Sequence, residues 1–176
     1  TLRQYNVIEV ENGVEIGGVL EDDLTLYPDV HYIVTRTLLV PKGITLTIKP
    51  GTIIRFKDNT TMKCEGTLVA KGTPDSLIVF TKADLDLGKL ADDLQFGSQT
   101  NIIEYAKICG FNGLSILIDG GTLRHCIITN CAYISSSGTQ IRSKLEFSVV
   151  TSGGISLSRT SNTNFICTNP GDIVLE

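Results

Sequence analysis

The chain of 176 residues has no tryptophan, one methionine and an aromatic content of only 6%. Aromatic rings are the usual platforms for stacking sugars or bases, so few positions are open to that kind of recognition. Apolar runs are short. None nears the roughly 20 residues that span a bilayer, so membrane insertion is not expected. Basic runs are missing as well. The 15 Lys and Arg are outnumbered by 19 Asp and Glu, for a net charge of −4. Without a phosphate-binding stripe, nucleic acid is not an expected partner. Thr1 opens directly on a polar, strand-like segment with no secretory leader. The chain is therefore read as cytoplasmic, or as a mature piece from which a leader was trimmed. Cys64, Cys109, Cys126, Cys131 and Cys167 contain no C-x-x-C pair, which argues against a zinc site. Each stands beside strand-like residues and reads as a small buried hydrophobe. A disulfide between stacked turns stays open.

What is present is a core-forming composition, 41% apolar against 19% charged, of a length that suits one domain. Ile44 to Phe80 organises the rest. It holds short β-branched runs cut by Pro50-Gly51, Asp58-Asn59, Glu65-Gly66 and Gly72-Thr73-Pro74. Each run reads as a strand and each cut as a turn. The linkers are too short for crossover helices, and the turns lack the Asn-Gly or Asp-Gly of tight hairpins. A coil of strands, each pairing with the coil above and below, is the economical solution. Before it, Tyr5–Val10 and Gly13–Leu20 read as strands, and Glu21-Asp22-Asp23 as a solvated turn or a weak calcium candidate. Residues 1–30 are expected to cap the first coil. Tyr32–Val40 is a strong strand, ended by Pro41.

Residues 82–97 break the rhythm. Leu87, Leu90 and Leu94 fall at i, i+3 and i+7, which predicts a loop excursion with a helical turn. Asp84, Asp86, Asp92 and Asp93 make it a second weak calcium candidate. No other cofactor is expected.

From residue 101 the chain repeats itself. Ile103–Gly110, Leu123–Asn130, Leu145–Ser152 and Ser161–Thr168 align so that Ile108, Ile128, Val150 and Ile166 share a column. Ala106, Cys126, Ser148 and Asn164 form a column of small side chains. A period near 20 with short strands predicts an all-β fold, a right-handed parallel β-helix (β-solenoid) with an N-terminal β cap. Stacking places the Ile/Val column inside as a ladder. His125 shares a column with Tyr105 and Phe147 and reads as a packed ring. No comparable cap closes the C-terminal end, so further coils or a second copy of the chain are expected to cover it.

Val40-Pro41-Lys42-Gly43-Ile44-Thr45-Leu46-Thr47-Ile48-Lys49-Pro50-Gly51-Thr52 resembles the opening of bacterial right-handed parallel β-helix proteins, the pectin-lyase-like class. Gly66–Thr73 and Ile78–Thr81 continue the likeness, and Gly17–Leu20 with Tyr32–Val34 resembles the lead-in. Where many relatives carry a tryptophan-glycine strand, this chain has Asp93–Gly97. The resemblance implies an extracellular or cell-surface module: a stalk, an adhesin or a glycan-facing domain. It also brings in pectate lyases and polygalacturonases, which share the fold class.

Outward positions expected to meet a ligand are Glu104, Lys107, Arg124, Tyr133 and Glu146, with Asn162 beside them. Polysaccharide is one expected partner, and self-association through the uncapped end is another. Hydrolysis would need two carboxylates across one groove. Glu104 and Glu146 lie two coils apart, roughly 10 Å at the usual strand spacing, and the Asn-Thr-Asp motif of polygalacturonases does not occur. A non-catalytic role is therefore expected, as a glycan-facing, adhesive or spacer element, with a lyase or hydrolase of acidic polysaccharide as the alternative. Thr35/Thr37, Thr45/Thr47 and Thr60/Thr61 do not recur at one period, so a flat threonine array is not expected.

Overall fold

The computed structural model describes residues 9–10, 13–83, 91–96, 100–115, 122–129, 133–136, 144–146, 148–150, 154–157, 165–167 and 173–175. Those residues are all-β, with no helix long and apolar enough to cross a membrane. The chain is a parallel β-solenoid. The lead-in is β1 (Glu9–Val10) and β2 (Gly13–Val19). The first coil is β3 (Leu24–Leu26) and the long β4 (His31–Val40). Three strands per coil follow: β5 (Thr45–Ile48), β6 (Ile53–Phe56) and β7 (Met62–Cys64), then β8 (Thr67–Lys71), β9 (Ile78–Lys82) and β10 (Ala91–Phe96). Next are β11 (Ile102–Glu104), β12 (Ala106–Cys109) and β13 (Phe111–Ser115), then β14 (Thr122–Arg124), β15 (Ile127–Thr129) and β16 (Tyr133–Ser136). The series ends with β17 (Lys144–Glu146), β18 (Ser148–Val150), β19 (Gly154–Leu157), β20 (Phe165–Cys167) and β21 (Ile173–Leu175).

These strands stack into three walls. A six-stranded sheet takes the first strand of each coil, β3, β5, β8, β11, β14 and β17. The long β4 serves two walls, because its first half pairs with β6 and its second half with β7. One flank runs from it through β6, β9, β12, β15, β18 and β20, and the other through β7, β10, β13, β16, β19 and β21. The lead-in joins in parallel too, since β2 lies along β4, while β1 returns antiparallel on β2.

Burial alternates along strands such as Thr45–Ile48 and Ile53–Phe56. Side chains of period two send every second residue inward, and the parallel register lays those residues over one another. On the first flank, buried Tyr32, Ile54, Phe80, Ile108 and Ile128 form one column. Its register starts at Val14 and continues to Val150 and Cys167. On the second flank, buried Leu38, Met62 and Leu94 form another, in register with Leu114, Ile134, Ile155 and Ile173. The six-stranded sheet adds buried Leu26, Ile48, Ala70, Ile103 and Leu123, in register with Leu145. Phe56 and Phe111 meet edge-on in the interior with centroids 5.1 Å apart. No coil has an interior of its own, so each wall is stable only by stacking.

Turn chemistry matches the sequence. Thr52 is buried, and its Oγ1 donates to the carbonyl of Lys49 at 2.7 Å. Thr60 does the same for Lys57 at 2.6 Å, beside Asn59 at a φ of 56°. Asp23 Oδ1 accepts the Thr45 amide at 2.7 Å, so one carboxylate of the 21–23 cluster ties the first coil to the second. Asn101 is buried, and its Oδ1 accepts the Leu68 amide at 2.9 Å.

Four expectations change. Leu94 lies on a strand, paired with Met62 and Leu114, and not on a helical turn. Two flanking strands offering a complete ladder outweigh a three-leucine helical pattern. Residues 84–90, with Leu87, Leu90, Asp84 and Asp86, lie outside the described residues. In the last repeat Cys167, not Ile166, stands over Val150, while Ile166 pairs with Val149. The final coil is therefore one residue out of the alignment, and Phe165, not Asn164, stands over Ser148. Cys109 is only half-buried, on an outward position, whereas Cys64 and Cys126 are buried as expected. Finally, threonines do come into register. Thr25 pairs with Thr47, and Thr45 with Thr67. Both steps are 22 residues long, and the pairs differ from Thr35/Thr37 and Thr60/Thr61, which join neither column.

Candidate functional site: a charged column beside a ring stack

Three of the candidate residues share one column. Lys71 pairs with Glu104, Glu104 with Arg124, and Arg124 with Glu146. The column alternates in sign, positive, negative, positive, negative, along the edge of the six-stranded sheet. The Arg124 guanidinium donates to Glu104 Oε1 and forms an ion pair with it. The Glu104 side chain is 15% exposed and that of Arg124 41%, so the contact is half in water. Opposite charges directly opposed across strands stabilise a sheet, and like charges destabilise it. Lys71 was missed in sequence. It precedes Glu104 by 33 residues where the other rungs are 20 and 22 apart, because the excursion between β9 and β10 lengthens that coil.

The column ends at a sharp bend. Tyr105 and His125, the residues next in sequence, have φ of 50° and 55°. Few non-glycine residues adopt that left-handed backbone. Here it turns each coil from the six-stranded sheet into the first flank, after which small Ala106 and Cys126 point inward, fully buried. The two rings stack with centroids 4.5 Å apart and 11° between planes. His125 is thus the packed ring the column predicts. Phe147, the next ring in that column, lies outside the described residues.

The other candidates do not join this cluster. Lys107 is exposed on the first flank, in register with Val79 and Ile127. Tyr133 lies on the second flank at a register position between Gly113 and Gly154. Asn162 lies outside the described residues. The structure therefore brings together Glu104, Arg124 and Glu146 and leaves Lys107 and Tyr133 on separate walls.

The chemistry of this arrangement is limited by its own pairing. Arg124 stands between Glu104 and Glu146 in the register of the column, and Glu104 is paired to its guanidinium. Among the described residues, no three His, Cys, Asp or Glu side chains converge as a metal site would require. Desolvation pushes the buried thiols of Cys64 and Cys126 up to about 12 each, against an ordinary thiol value near 8.5. A second ion pair, Lys82 Nζ to Asp58 Oδ1 at 3.0 Å, is nearly buried at the lysine. It occupies the inward register above Phe56. Comparison of the chain with family models, with curated proteins and with solved structures returned no match.

Proposed function

We propose that this chain is a non-catalytic extracellular module of the bacterial, pectin-lyase-like β-helix kind, acting as a glycan-facing, adhesive or spacer element of a cell surface. The observation that carries this reading is the alternating column Lys71, Glu104, Arg124 and Glu146. A general acid needs a carboxyl whose proton is available, and a general base one whose lone pair is free. Glu104 is instead committed to the guanidinium beside it. The Glu104–Arg124 pair joins two neighbouring coils, a contact that suits a scaffold. Its outward walls are the surface left for a saccharide, with Lys107 and Tyr133 as the contacts proposed on the two flanks.

The test has two arms. Incubation with pectin and polygalacturonate, with and without calcium, should release no unsaturated or reducing product. Product formation that is lost in Glu104→Gln would overturn the reading in favour of a lyase or hydrolase. A glycan array then separates the roles within the proposal. Saturable binding weakened by Tyr133→Ala or Lys107→Ala supports a glycan-facing module, and silence supports a spacer.

A further inference from the structure

We propose that Tyr27, Lys49 and Lys71 form a binding site for an anionic saccharide. The proposal rests on the glycan-facing reading above and adds to it a site and a ligand charge. These residues extend the charged column into the first coils. Leu26 pairs with Ile48, Ile48 with Ala70, and Ala70 with Ile103. All four are buried, so the residues that follow them, Tyr27, Lys49, Lys71 and Glu104, face outward on successive rungs. The Lys49 amide donates to the Leu26 carbonyl at 3.0 Å, which carries the ladder through this position. From Tyr27 to Lys71 the rungs span roughly 10 Å. Both lysines are exposed. Tyr27 is 50% exposed, one of three large apolar side chains open to solvent among the described residues.

The column changes character at Lys71. Beyond it the signs alternate, and Glu104 pairs with Arg124. Before it, two ammonium groups stand on adjacent rungs. Like charges opposed across strands destabilise a sheet. The ion pairs among the described residues are Lys57–Glu15, Lys63–Glu65, Lys82–Asp58 and Arg124–Glu104, so no carboxylate there offsets Lys49 or Lys71. Asp29 and Asp75, exposed in the turns beyond Tyr27 and Lys71, pair with neither. An anion bridging the two rungs supplies the missing charge through charge-assisted hydrogen bonds. A local cost relieved only in a complex is the mark of a functional site. The ring beside Lys49 describes the rest of the ligand. A half-exposed tyrosine offers a face to a pyranose and a hydroxyl to its substituents. Pyranose rings bearing carboxylate or sulfate ester groups join the two chemistries in one chain.

The experiment uses the whole chain. Calorimetric titration measures binding of polygalacturonate, dextran sulfate and neutral dextran to the wild type, Lys49→Gln, Lys71→Gln, Tyr27→Ala and the control Lys42→Gln at the opposite edge of the sheet. The wild type should bind at least one polyanion and not the neutral polymer; the preferred polyanion identifies carboxylate or sulfate ester. Lys49→Gln and Lys71→Gln should each bind about tenfold more weakly, Tyr27→Ala should also bind more weakly, and Lys42→Gln should bind as the wild type does. Each lysine variant removes one member of a like-charged pair, so its melting midpoint by circular dichroism should stay level or rise. No polyanion binding, equal binding of neutral dextran, an equal loss in Lys42→Gln or a lowered midpoint in both lysine variants overturns the proposal. Saccharide binding that survives Lys49→Gln and Lys71→Gln but falls in Lys107→Ala or Tyr133→Ala overturns it while the glycan-facing reading stands. Silence towards every saccharide removes both.

Discussion

Gly66 offers the sharpest test of the coil geometry. It sits in the turn between β7 and β8, directly over the turn between β4 and β5. A Cβ at this position would lie 2.3 Å from the Pro41 carbonyl oxygen and 2.4 Å from that of Ile44. Both obstacles are backbone, and both are tied down. Ile44 donates to the Pro41 carbonyl at 3.2 Å, and its own carbonyl accepts the Thr67 amide at 3.0 Å. Gly66 in turn donates to the Val40 carbonyl at 3.0 Å. Reaching even a 3.0 Å contact requires one turn to move about 0.7 Å against the other, at an overpacking cost of about 1–3 kcal/mol. Such a shift also weakens the amide bonds of Gly66 and Thr67, each contributing about 1 kcal/mol net. Gly66→Ala should therefore cost about 3–5 kcal/mol, a large share of an ordinary domain's stability. Gly43 is the internal control. Its φ is +87°, but a Cβ added there would meet nothing within 4 Å, so Gly43→Ala incurs only the left-handed backbone penalty of about 1–2 kcal/mol. Urea unfolding followed by far-ultraviolet circular dichroism ranks the two. If Gly66→Ala unfolds at the same urea concentration as Gly43→Ala, or a higher one, the close stacking of these turns is refuted.

Two further predictions concern the charges and the thiols. Arg124→Glu sets like charges against Glu104 and Glu146, and should cost about 1–2 kcal/mol after allowing for its partial exposure. An isolated pair would be rescued by adding Glu104→Arg. In the four-rung column, that double exchange sets like charges at both outer steps, so urea midpoints should show little or no rescue. Cys64 and Cys126 should resist alkylation in the native chain and react on unfolding, as read by peptide mass mapping. Their raised values also set a pH dependence. Above the unfolded thiol value the unfolded chain ionises while the folded chain does not, so stability is full below that point and falls as pH rises towards about 12. Replacing both with alanine should flatten that decline.

The sequence by itself determined the kind of fold. β-branched runs of three to five residues, cut by Pro50-Gly51 and Glu65-Gly66, argue against helices and hairpins between residues 44 and 80. The column through Ile108, Ile128 and Val150, at steps of 20 and 22 residues, points to coils that stack in parallel, because each coil can bury its apolar side only on its neighbour. Register across irregular coils was decided by tertiary structure alone. The long step from Ala70 to Ile103 conceals Lys71 as a rung of the charged column and Thr67 as a neighbour of Thr100. The short last step moves Cys167, not Ile166, over Val150. Pairing between coils is a contact between residues distant along the chain, and an insertion changes their separation without disturbing the backbone hydrogen bonds that define it. The alignment of Ile103–Gly110 over Leu123–Asn130 already set Glu104 beside Arg124, and the structure adds that the two side chains meet as an ion pair.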